Sequence, residues 1–187
     1  MFKKIIFISI IFIAVVSCAH KEARKPVSVR SGTFLKESVE RNKALIAKEE
    51  EAIQKYIAQD SLNTYLASSN GFWYFYNEKS SQETYLPQKG DILTYEFDAA
   101  KIEGDPIYTK EEIGIQEYVV DKQQIIPGLR HALQLMKKGE TVTFLFPSHI
   151  AYGYHGDNKK IGTNVPIQST ITLLNIKKEN KNLETEN

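Results

Sequence analysis

The chain has 187 residues, with 24 lysines and arginines against 23 aspartates and glutamates, a net charge of +1, and a single cysteine. That length suits one domain with extensions, and the near-even charge leaves no basic patch, so no nucleic-acid partner is expected. A lone cysteine excludes an internal disulfide framework.

In chain order, the first segment is MFKKIIFISIIFIAVVSC. Lys3 and Lys4 give a positive start, and Ile5 to Val16 is apolar apart from Ser9. The run is too short to cross a bilayer comfortably, which takes about 20 apolar residues. A charged start, a short apolar stretch and small residues after it describe a secretory signal. Its end, Val15-Val16-Ser17-Cys18, resembles the bacterial lipobox, which implies cleavage after residue 17 and lipidation of Cys18. The expectation is a bacterial envelope protein held to the membrane by its N-terminal lipid. Ala19 lacks the aspartate that retains many lipoproteins at the inner membrane, so the outer membrane is the expected site. Removing residues 1–17 leaves 22 basic against 23 acidic side chains, a net −1.

Residues 18–33 are polar and read as a tether. From 34 the pattern turns helical: Val39, Ile46, Ile53 and Ile57 share one face to residue 59, within an extension that ends at 67. So thin an apolar stripe needs a partner surface: the following domain, a second copy in a homodimer through the 34–59 helix, or another protein. Strand patterns follow at 71–76, 91–97 (DILTYEF), 116–120 (QEYVV), 141–146 (TVTFLF) and 167–176 (IQSTITLLNI). Five strands and one short helix at 127–138 predict an α+β domain, an antiparallel sheet wrapped around that helix, over 68–178. The tail, 179–187, is polar.

The stretch QQIIPGLRHALQLMKKGE, 123–140, carries the functional signal. Pro127 suits a first helical turn. Leu129, Ala132, Leu133 and Met136 form one face. Lys137 and Lys138 are expected at the C-terminal end of the helix dipole, with Gly139 as the left-handed stop. Ile125 and Ile126 precede a helix start that has free N–H groups. An apolar wall with an exposed backbone donor suits an apolar ligand bearing a carbonyl.

This stretch, with TVTF after it and Ala151-Tyr152-Gly153 beyond, resembles the FK506-binding-protein (FKBP) type of peptidyl-prolyl cis-trans isomerase. KGDILTYEF and the Ile161-to-Ile176 segment are similar to further family motifs in the same order, so the resemblance covers roughly Gly71 to Lys178. The tether and helix ahead of it resemble the gliding-motility isomerase lipoproteins of Bacteroidetes. The resemblance implies a proline pocket lined by Phe97, Ile125, Leu129, Ile161 and Tyr108, or Ile107 if the alignment shifts by one. It implies an Ile126 N–H that holds the carbonyl before proline and a Tyr152 hydroxyl that donates a second bond. It also implies proline-containing exported polypeptides as substrates and no cofactor. His155 and Asp157 alone do not make a metal site. Several family positions differ. Thr109 or Tyr108 stands for a pocket aspartate, Gln116 and Ser169 for aromatics, and Leu129 for a tryptophan. Two functions therefore stand side by side: an isomerase, or a weakly active FKBP-like module that holds a protein partner.

Overall fold

The computed structural model describes residues 32–179, so Cys18, residues 18–31 of the tether and most of the tail lie outside it. Among the described residues, those from Ser38 onward form one compact unit, whose boundary falls inside the first helix. That helix, α1 (Gly32–Gln59), starts two residues before the expected position.

Among the described residues, eight strands form one antiparallel sheet: β1 (Leu66–Ala67), β2 (Trp73–Glu78), β3 (Ile92–Phe97), β4 (Ala99–Lys101), β5 (Pro106–Tyr108), β6 (Gln116–Val119), β7 (Thr141–Phe146) and β8 (Ile167–Lys177). Their order is β1-β2-β7-β8-β3-β6, with β4 paired to both β8 and β5. The five expected strands are β2, β3, β6, β7 and β8. The three added ones have two or three residues, too few to show the alternation by which a strand is recognised. A four-residue helix, α2 (Lys110–Ile113), was also unforeseen.

Period-two alternation sends one set of β7 and β8 side chains inward and the other outward. Val142, Phe144, Phe146, Ile167, Ile171 and Leu173 join Phe72, Leu93, Tyr95 and Tyr118 in the main core. The helix α3 (Pro127–Leu135) lies on this face and contributes Leu129, Ala132 and Leu133. On the opposite face Thr143 meets Thr170 at 3.0 Å and Thr141 meets Thr172 at 3.2 Å, a hydroxyl ladder across β7 and β8. There α1 packs, with Ile53 fully buried against Leu145 and Ile102, flanked by Tyr56, Ile57, Tyr65 and Trp73.

The helix α3 ends at Leu135, three residues earlier than expected. Met136 turns to extended backbone (φ −93°, ψ 148°) and is buried in the core. The Lys137 N–H, instead of continuing the helical ladder, donates to the buried Glu140 carboxylate at 2.8 Å. Lys137 and Lys138 are therefore not in the last helical turn. Gly139 does have positive φ (+81°), but it shapes the turn into β7, donating its N–H to Leu173 O at 2.7 Å.

Candidate functional site

The site is built where β3, β5, α2 and the loop after β7 meet. Phe97 closes β3, Tyr108 closes β5 opposite Ala99, and Tyr152 follows the short 3-10 turn at Ser148–Ile150. These three rings line one depression of about 340 Å³, together with Glu112, Ile113, Asp157 and Lys159.

Local sequence explains the placement of each. Thr109 caps α2: its hydroxyl accepts the Glu112 N–H at 3.3 Å, and the Glu112 carboxylate accepts the Thr109 N–H at 3.0 Å. This capping box swings Glu112 and Ile113 towards the depression. Gly128, in the Pro-Gly pair, sits against the turn that leads to Tyr152. A Cβ there would lie 2.7 Å from Phe146 Cδ1 and 3.0 Å from Ile150 O, so no larger residue fits without displacement.

The loop from Ala151 to Ile161 is tied to β5. The Tyr108 hydroxyl donates to Asp157 at 2.5 Å and accepts from the Lys160 N–H at 3.2 Å. The other Asp157 oxygen accepts from the N–H groups of Lys159 (2.9 Å) and Ile161 (2.8 Å). Lys160 pairs with Glu112 at 2.7 Å, and its ammonium lies 4.7 Å from the Tyr108 ring centre. Burial alone would raise the Asp157 carboxyl, but the Tyr108 hydroxyl and the two amides outweigh it and hold the carboxyl below its ordinary range. Desolvation first, then the charges of Asp157 and Tyr108, push the Tyr152 hydroxyl upward. It therefore stays protonated, and so a donor, at neutral pH. No hydrogen bond occupies it among the described residues.

The other expected pocket residues are not among those that line this depression. Ile125, Ile126 and Ile107 pack, partly buried, against the main core and do not line this depression. Ile126 is the N-cap of α3 and makes no side-chain cap, and no acceptor among the described residues takes its N–H. Leu129 is 6 % exposed, buried in the core rather than open as a pocket floor. Ile161 is also buried. The positions where aromatics were expected serve structure: the Gln116 amide donates to Ile113 O at 3.0 Å, and the buried Ser169 hydroxyl to Asp98 O at 2.7 Å. Glu112 and Ile113 were not anticipated at the site, although T-x-x-E at 109–112 is a legible helix-start signal. Among the described residues no cluster of three or more metal-ligating side chains occurs.

The arrangement offers aromatic walls, a free hydroxyl donor and charged edges. Comparison with known proteins gives it a class. Residues 83–174 match the FKBP-type peptidyl-prolyl cis-trans isomerases, so this segment is an FKBP-type domain.

More particularly, the chain is 29% identical over 134 residues to the Neisseria meningitidis protein named "Probable FKBP-type peptidyl-prolyl cis-trans isomerase FkpA", which spans 72% of this chain and 47% of that protein. It is 34% identical over 92 residues to the "Outer membrane protein MIP" of Legionella longbeachae, covering 49% and 39% of the two. The chain thus spans about half or less of the length of these relatives. In fold it is similar to FkpA from Escherichia coli (TM-score 0.58, 24% identity, 76% of this chain and 64% of that one). It is also similar to a peptidyl-prolyl isomerase from Pseudomonas syringae (TM-score 0.57, 18% identity, 73% and 96%).

Proposed function

We propose that the chain catalyses cis-trans isomerisation of X–Pro bonds in exported polypeptides while anchored to the bacterial envelope through a lipid on Cys18. The observation that carries this is the convergence of Phe97, Tyr108 and Tyr152 on one depression with an unengaged Tyr152 hydroxyl, inside an FKBP-type domain. Amide resonance sets a barrier of about 18–20 kcal/mol to rotation. Twisting the bond reduces its dipole, so a site of aromatic walls favours the twisted form over the planar one. Donors that hold the flanking carbonyls make the differential contact that catalysis requires. No nucleophile or proton relay enters this scheme. Tyr152 donates one hydrogen bond at the depression, and we extend the site beyond its lining to the Ile126 N–H, uncommitted at the start of α3, as the second donor. The substrates are proline-containing segments of secreted proteins, including components of a gliding machinery.

The test is a proline-isomerisation assay on the chain from residue 20. The wild type accelerates isomerisation of an apolar-Pro peptide, Tyr152→Phe lowers kcat/KM about tenfold, the worth of one directed hydrogen bond, and an unreactive wild type ends the proposal. Mass spectrometry of the protein from its native envelope should show acylated Cys18 as the first residue. A mature protein that retains Met1 ends the lipid part alone.

A second reading, a binding module with little turnover, is favoured by the polar edge of the depression. Glu112, Asp157 and Lys159 stand there, and neither Gln116 nor Ser169 turns a side chain into it. Saturable binding of the same peptide without acceleration would select this reading. Self-association through α1 is part of the proposal as well: Leu35 and Val39 are 66 % and 51 % exposed. Sedimentation equilibrium of the wild type against Val39→Glu measures it.

A further inference from the structure

The helix α1 lies on the sheet face opposite α3, yet one of its side chains reaches the segment that carries Tyr152. Glu49 is 6 % exposed, and its two carboxylate oxygens take the Ser148 N–H and the Ser148 hydroxyl, each at 2.7 Å. Ser148 is itself buried and opens the 3-10 turn after β7. Its carbonyl accepts the Ala151 N–H at 3.0 Å and the Gly153 N–H at 2.8 Å. Those two amides flank Tyr152. A single serine thus joins a carboxylate of the N-terminal helix to the backbone on both sides of the site tyrosine.

The chemistry of the clamp argues that it does more than hold the helix down. A buried carboxylate is unfavourable unless it is fully bonded, and an apolar side chain would pack α1 at less cost. Ile53 already does so, one turn further along. What the carboxylate adds is direction. Hydrogen bonds to an ionised acceptor are short and strong, and both of these point at the residue whose carbonyl orients the Tyr152 backbone.

We propose that Glu49 is a positioning residue of the isomerase site, which makes the N-terminal helix part of the apparatus that aims the Tyr152 hydroxyl. This rests on the isomerase reading of the site.

The experiment compares three substitutions in the full chain. Glu49→Ala removes the clamp. Glu49→Gln keeps an acceptor for the Ser148 N–H and an amide beside its hydroxyl. Ile53→Ala loosens α1 without touching Ser148. Misplacement of a catalytic group by about an ångström costs up to roughly a hundredfold in rate. The expected result is a tenfold or larger loss of kcat in Glu49→Ala with little change in KM, near-complete recovery in Glu49→Gln, and unchanged kcat in Ile53→Ala below its unfolding transition. Hydrogen exchange over 148–154 should quicken in Glu49→Ala and not in Ile53→Ala. Equal loss of kcat in Glu49→Ala and Ile53→Ala, or no loss in Glu49→Ala, overturns the proposal. A wild type without turnover overturns the isomerase reading and the positioning role with it, and the exchange measurement then shows separately whether the clamp exists.

Discussion

Asp157 holds three donors at once, the Tyr108 hydroxyl and the amides of Lys159 and Ile161, and this makes its carboxylate a fastening of the loop beside Tyr152. Because these bonds depress its pKa in the folded state, its contribution to stability is present above the ordinary aspartate pKa of about 3.9. That contribution is lost as pH falls through the lower folded value. Asp157→Asn should therefore flatten part of the acid limb of a stability-versus-pH curve below about pH 4, measured by urea unfolding at several pH values. A variant whose acid limb is as steep as the wild type's removes Asp157 from this role. Leu129 gives a different expectation. Its burial among Leu133, Met136 and Phe146 makes Leu129→Ala a core deletion, costing about 2–5 kcal/mol of unfolding free energy. A loss below about 1 kcal/mol would return it to the pocket. Motif order in the sequence singled out Tyr152, Phe97 and Tyr108, and the structure brings these three to one depression. It could not show that Asp157 bonds Tyr108, since a loop contact 49 residues apart leaves no periodic trace.

At the scale of elements, what was readable divides by length. The apolar face of α3, at 129, 132 and 133, is buried as the spacing predicts, and Met136, just past the end of the helix, is buried with it. The end of α3 was not readable, because a side chain five residues past it, Glu140, captures the Lys137 N–H. Between β3 and β8 the register shifts at Thr94/Tyr95, because β8 carries one extra residue there, Leu174, and such a bulge has no sequence mark here. The close approach of α3 to Ile150 makes a prediction about the Pro-Gly pair. Gly128→Ala should destabilise the domain by about 1–3 kcal/mol through overpacking, seen as a lowered urea midpoint with unchanged m-value. An unaltered midpoint would mean that the turn yields freely. On the other face Ile53→Ala opens a cavity against Leu145 and Ile102, and about 2–5 kcal/mol of stability should go with it in the same measurement.

For the whole molecule, the two cores are separable in composition: none of the buried residues of the main cluster comes from α1. Deleting 33–60 should therefore leave a domain that still unfolds cooperatively, at a lower midpoint because Leu145 and Ile102 lose their cover, as followed by calorimetry. A broad, non-cooperative trace would mean that α1 is integral to the fold. The strand order has one more consequence. A sheet that does not close into a barrel has rims, and an unpaired rim is a template on which other chains can add strands. Here β1 has only two residues, β5 begins with Pro106, which lacks a donor, and β6 carries the exposed Glu117. Each rim is short, blocked or charged, so the sheet offers any extended polypeptide little edge on which to aggregate.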